Sequence, residues 1–308
     1  SISVTSNLNI DGLVSANGNN GGTSITGSGG GGSGGSVLIN AGIITGVGNI
    51  NVNGGNGANG LTSTGGAGAG GRVAIYYASN SFNDNNIQVS GGSSNNGGGS
   101  GTIYKESQAQ TNALTGGDLI VNSGPLSNIK TPINETIFPG KRLENFIASG
   151  NADVSFALND GIFLNSLIIN NNFLIDNSAV ELDNDMSFNT ITLKNNGDLI
   201  IDSKDNKVDG STGVGQVIAL TGNSIDIQDS LSSISAAGNG YLGGQGPGAG
   251  GDPVGGSHGG GINPYGSLTA PITLGSGGGI GGTGGGAIKI DLTGSLNLQG
   301  EINVNGRF

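Results

Sequence analysis

Apolar residues along this chain fall on every second position in short bursts, and each burst runs into glycine or asparagine. Residues 282–306 show the order: a glycine cluster, a first burst at Ile288, Ile290 and Leu292, a second at Leu296 and Leu298, a third at Ile302 and Val304, then Asn305-Gly306. A period of two predicts β-strands with one buried and one wet face, joined by tight turns. The same order recurs over residues 31–55, with Val37, Ile39, Ile43, Ile44, Ile50 and Val52, and in a variant over residues 68–92. A copy without the glycine lead opens the chain, and a looser one covers residues 213–240. A unit this short cannot bury its own apolar face, so its recurrence predicts units stacked into a solenoid.

The alternation divides the chain into three stretches of what is read as one continuous solenoid. Residues 1–123 and 213–308 are glycine-rich repeats. Residues 124–212 begin with Pro125, Pro132 and Pro139 and continue as Asn- and Asp-punctuated rungs centred on residues 167–169, 173–175, 180–182, 191–193 and 199–201. Asparagine suits such turns because it tolerates left-handed backbone and, stacked rung on rung, forms hydrogen-bonded ladders. The glycine tracts sit at the same place in every unit, which a flexible linker would not require. They are expected to pack backbone on backbone, as wide turns of a solenoid or as extended polyglycine helices side by side. Residues 238–286, with Pro253, Pro264 and Pro271, read as one long surface excursion.

Composition narrows the picture to one fold class. With 66 glycines in 308 residues and 33 % apolar residues, the chain lacks material for a wide two-layer core but has enough for a core one rung wide. Glycine, asparagine, serine and threonine disfavour helix. The expectation is therefore an all-β, right-handed parallel β-helix with long glycine-rich loops and almost no helix, the hand following the rule for parallel crossovers. There is no cysteine, so disulfides contribute nothing. A net charge of −11, from 21 acidic and 10 basic residues, argues against nucleic acid as a partner. No apolar run is long enough for a membrane-spanning helix. Because the chain opens inside a strand pattern and stops just past one, at Gly306-Arg307-Phe308, it reads as a piece of a longer exported product.

Candidate chemistry is thin. His258 follows Ser257 and lies near Asp252, but no nucleophile-elbow pattern surrounds them, and a locally bonded loop histidine is the plainer reading. Glu181, Asp183 and Asp185 alternate and would share a strand face if the strand ran through them, yet a glycosidase also needs a sugar platform, and the chain has no Trp. Among metals calcium fits best, at Asp202, Asp205 and Asp209 before Gly210. The spacing is not that of an EF-hand, and Lys204 and Lys207 dilute the charge, so a charged turn closing a rung competes with it. The many GxGxxG matches follow from composition and precede no helix.

The pattern GGxGGGxIxI followed by LxLxGxIxxNG, after SHGG, YGS and LGSGGG, resembles the glycine-rich repeats of large secreted and cell-surface bacterial proteins, in adhesin-like and autotransporter-like passengers. The resemblance covers residues 31–55, 68–92 and 257–306. It implies a parallel β-helix outside the cell and transfers no catalytic residue. The expected function is a non-enzymatic structural or adhesive segment of a surface filament, sheath or stalk. Its partners would be further copies stacked end to end, adjoining domains of a longer chain, or surface glycans. The competing reading is a β-helix that binds or cleaves polysaccharide at the acidic middle face.

Overall fold

The computed structural model of the chain describes residues 1–23, 27–60, 63–94, 97–123, 129–133, 142–156, 167–202, 217–279 and 281–307. It is 44 % strand and 3 % helix, with mostly parallel sheets, as the glycine- and Asn-rich composition predicts. The chain forms two compact units, one of Ser1–Ile133 with Arg142–Ser155 and Ile169–Val180, the other chiefly Glu181–Phe308.

The first unit begins with strands β1 (Ile2–Asn9), β2 (Leu13–Ser15), β3 (Ser36–Thr45), β4 (Asn49–Asn51), β5 (Arg72–Asn80), β6 (Ile87–Gln88) and β7 (Thr102–Ser107). The long strands β1, β3, β5 and β7 pair in parallel, and the short β2, β4 and β6 form a second parallel sheet. Register places like on like. Ile2, Ile39, Ile75 and Lys105 make one column; Val37, Val73 and Ile103 a second; Val14, Ile50 and Ile87 a third. Ile39, Ile44, Ile50 and Val52 are fully buried, each such side chain contributing about 1.5–3 kcal/mol.

The uniformly parallel stack expected from the sequence is interrupted after β7. Ser107 caps the helix α1 (Gln108–Ala113): its Oγ accepts from the Gln110 N–H, and the Gln110 side chain accepts from the Ser107 N–H at 2.7 Å. Leu114 and Gly116, both at positive φ, then turn the chain back as β8 (Asp118–Asn122), antiparallel to β7. Residues directly opposite in an antiparallel pair share a face, here Ile103 with Ile120, Tyr104 with Leu119 and Lys105 with Asp118. The buried residues of β7 are Ile103 and Lys105, whereas those of β8 are Leu119 and Val121. The core therefore moves to the other face of the sheet as the strand direction flips. Two inversions together equal a half-turn about the stacking axis, which leaves the sense of coiling unchanged.

Beyond this junction come β9 (Thr131–Ile133), β10 (Arg142–Leu143), β11 (Asn145–Ser149), β12 (Asp153–Phe156), β13 (Leu167–Asp176) and β14 (Ala179–Leu182). Strands β8, β11 and β13 are again parallel, and one of their buried columns is largely aromatic: Phe146 lies on Phe173 with ring centres 4.8 Å apart, while Val121, Ala148 and Ile175 make the other. The second unit contains β15 (Met186–Lys194), β16 (Asp198–Ile201), β17 (Ile218–Ile227), β18 (Ser233–Ser235), β19 (Ile288–Leu292), β20 (Leu296–Leu298) and β21 (Glu301–Asn303). Its columns run Met186–Leu220–Ile290, Leu193–Ile227–Leu298 and Leu199–Ile234–Ile302. Ile227 is fully buried beneath Leu298, which is itself 46 % exposed.

Candidate functional site

Among the described residues the glycine tracts of the first unit pack side by side, with a repeat of three residues. Val52-Asn53-Gly54, Gly55-Asn56-Gly57 and Ala58-Asn59-Gly60 form one run; Ala16-Asn17-Gly18 and Asn19-Asn20-Gly21 form its counterpart one coil earlier. Three residues per turn is the polyproline-II helix, which has no internal hydrogen bonds, so each N–H must find a neighbouring segment. Past the opening Ala16 and Val52, which donate forward to Asn51 and Gln88, each position of the triplet finds a different one. At the first, the N–H groups of Gly55 and Ala58 donate to the carbonyls of Gly32 and Gly29 on the returning segment of the preceding coil, at 2.8 and 3.0 Å. At the second, Asn53 and Asn56 donate to Oδ1 of Asn17 and Asn20, both at 2.7 Å. At the third, Gly18 and Gly21 donate forward to the carbonyls of Asn53 and Asn56, both at 2.8 Å.

The arrangement repeats one coil on, where Ser90 and Ser93 donate to Oδ1 of Asn53 and Asn56 at 2.9 and 2.7 Å. A row of hydrogen bonds between peptide groups crosses the layer: Gly32 donates to Asn19, Gly55 to Gly32, Gly68 to Gly55, Gly92 to Gly68 and Gly98 to Gly92, at 2.8 to 3.0 Å. The sequence leaves wide turns and polyglycine helices both open for these tracts, and its Asn-Gly pairs read as turns. The x-Asn-Gly triplet is the signal that would have separated them, since their carboxamides serve as extra backbone acceptors.

In the second unit the surface excursion expected over residues 238–286 is only partly one. Its two flanks lie against each other: the N–H of Tyr241 donates to Gly275 at 3.0 Å, Gly284 to Tyr241 at 2.9 Å, and Gly277 to Gln245 at 2.9 Å. Tyr241 and Leu274 are buried between them. Above this base, residues 252–272 project. Ser276 Oγ donates to the Tyr265 hydroxyl at 2.9 Å, which in turn donates to the Leu274 carbonyl, and His258 Nε2 meets Thr273 Oγ1 at 2.8 Å. Leu268 is 97 % and Ile262 79 % exposed, and no Asp, Glu, Lys or Arg occurs from Pro253 through Ala287. The fold thus holds out an uncharged aliphatic tip.

Among the described residues the titratable candidates do not converge. His258 is bonded to Thr273 and packs at a tilt against Tyr265, while Ser257 Oγ accepts from the Asn263 N–H, so the two adjacent residues are not paired. Strand β14 ends at Leu182, so Glu181, Asp183 and Asp185 do not share one strand face; Asp185 instead accepts from the Ala219 N–H at 2.8 Å. Asp202 is buried and its N–H donates to Leu182 at 2.9 Å, whereas Asp205 and Asp209 lie outside the described residues. Among the described residues no cluster of His, Cys, Asp or Glu could hold a metal ion.

A polar network lies at the β7–β8 junction. The Tyr104 hydroxyl donates to Glu106 at 2.8 Å and accepts from the Gly117 N–H at 2.9 Å. Burial, reinforced by the Glu106 carboxylate, raises its pKa well above the ordinary phenol value of 10.0, and burial raises Tyr76 and Tyr77 in the same direction. A group whose folded pKa is raised gives stability that is complete below its unfolded pKa and is lost as pH rises beyond it. Urea stability is accordingly expected to fall above about pH 10, and Tyr104→Phe to flatten that fall. An unchanged alkaline slope in the variant would refute the assignment.

Comparison of the chain with protein-family models, with curated proteins and with solved structures finds no match.

Proposed function

We propose that this protein is a non-enzymatic structural and adhesive element of the cell exterior, a right-handed β-solenoid segment of a filament, sheath or stalk that stacks coil on coil. The observation that carries the reading is the register of the described rungs, which lays like residues in buried columns coil after coil while the glycine triplets bond across the same coils. The right hand is the general preference of parallel crossovers, and the reversal at β7–β8 is compatible with it. The triplet layer suits a load-bearing role because its N–H groups are tied in three directions, and the uncharged tip suits adhesion by apolar contact.

Sedimentation velocity and negative-stain electron microscopy across a concentration series test the proposal. Particles lengthening in whole-molecule steps are expected. A monomer at every concentration would remove the stacking reading.

A further inference from the structure

We infer that the triplet layer decides where this chain is chemically modified: of the five Asn-Gly pairs in its two runs, Asn59-Gly60 is a deamidation site and the other four are held against that reaction. Asn17, Asn20, Asn53, Asn56 and Asn59 are each followed by glycine. Such pairs are labile in a loose chain, because a glycine nitrogen carries no side chain beside it to hinder attack.

The reaction balances with water alone. Hydroxide removes the N–H proton of the glycine, its nitrogen bonds to Cγ of the asparagine, and the Cγ–Nδ2 bond breaks. Nδ2 leaves as ammonia, taking a proton from water and restoring the hydroxide, and a second water opens the cyclic imide to aspartate or isoaspartate. For this the carboxamide must swing until Cγ stands against the following nitrogen, at about 3–3.5 Å.

Four pairs are held at both ends of that motion. Asn17 Oδ1 accepts from the Asn53 N–H and Asn20 Oδ1 from Asn56, both at 2.7 Å, while Asn53 and Asn56 accept from Ser90 and Ser93 at 2.9 and 2.7 Å. The nitrogens are tied too: Gly18, Gly21, Gly54 and Gly57 donate to the carbonyls of Asn53, Asn56, Ser90 and Ser93 at 2.8 to 3.1 Å. Each carboxamide has to break a bond to the next coil before it can swing.

Asn59 closes the run and is held at one end. Gly60 donates to the Ser63 carbonyl at 2.9 Å and to Ser28 Oγ at 3.0 Å, but the exposed Asn59 side chain makes no hydrogen bond among the described residues. With Asn56, Gly57, Ser93 and Ser94 it lines an open polar cleft, so water reaches it. The placement limits the damage. Isoaspartate adds a carbon to the backbone, which at Asn53 would put a three-residue repeat out of step and at Asn59 falls in the last triplet.

Incubation of the folded protein at mildly alkaline pH, with each site followed by peptide mapping and fragmentation, tests the inference. Asn59 should convert first, about fivefold or more ahead of Asn53 and Asn56, the ratio that one hydrogen bond of about 1 kcal/mol supplies. In urea all five should convert alike. Polyproline-II backbone accepts proline, so Ser93→Pro removes the N–H that holds Asn56 Oδ1 and leaves the local backbone in place. It should speed conversion at Asn56 about fivefold and leave Asn53 unchanged, whereas Ser93→Ala should change neither. Should Ser93→Pro fail to fold, its five sites would convert at the urea rate, and the order of sites in the parent decides. Asn59 converting no faster than Asn56 in the folded parent, or a folded Ser93→Pro whose Asn56 stays as slow as the parent's, would overturn the inference.

Discussion

Gly55→Ala is expected to destabilise the first unit by about 3 kcal/mol, although it adds a single methyl group. Gly55 is buried at the crossing of the peptide row, donating to Gly32 and accepting from Gly68. A Cβ built there falls closer than 3.0 Å to the backbone carbonyl of Asn19, and no side chain can move aside to relieve it. The polyglycine segments must therefore spread, which stretches the bonds on both flanks at once. Gly66→Ala is the matched control: it lies in the same layer, is exposed, and its Cβ meets nothing within 4 Å. That variant should fall within about 0.5 kcal/mol of the parent, or gain slightly from a stiffer unfolded chain. Urea midpoints at constant slope, with amide exchange at Gly32 and Gly68, provide the measurement. Equal stability of the two variants would mean that the layer does not bear on the unit's stability.

What could be read beforehand was what is local. Alternation placed Ile39, Ile50, Leu193, Ile227 and Ile302 in columns because a period of two survives whatever the strand pairs with. The glycine tracts were legible as ordered packing, but not the task of Asn17, Asn20, Asn53 and Asn56, since the carboxamide's partner lies a full coil away. The reversal after β7 had one local mark, Ser107 three residues before Gln110, heading a helix of six residues. Its larger consequence, the transfer of the core from the Ile103 face to the Leu119 face, depends on which strand β8 chooses. Likewise the flanks of residues 238–286 looked loose because Tyr241 and Leu274 meet only in space.

Lys105 shows the same limit, and its partner yields the second large effect: Asp84→Ala should cost about 2–3 kcal/mol, while Lys105→Met should cost little or stabilise. The alternation of β7 puts Lys105 on the apolar side, and register sets it on the Ile2–Ile39–Ile75 column, 8 % exposed. Its ammonium is held by both carboxylate oxygens of Asp84, at 2.7 and 2.8 Å, from a 3-10 turn 21 residues earlier. Removing Asp84 leaves that charge beside an apolar column. Because the carboxylate is 41 % exposed, water offsets part of the loss, and the cost stays below the 3–5 kcal/mol typical of a fully buried pair. Methionine would extend the column with no charge to desolvate, so the double variant should recover most of what Asp84→Ala loses. A double variant as unstable as Asp84→Ala would show that Asp84 acts through its turn and not through Lys105. The charge also stands where the column has to stop. Its neighbour across the sheet is Asp118, held by Asn145 at 2.7 Å, and beyond it the core lies on the other face.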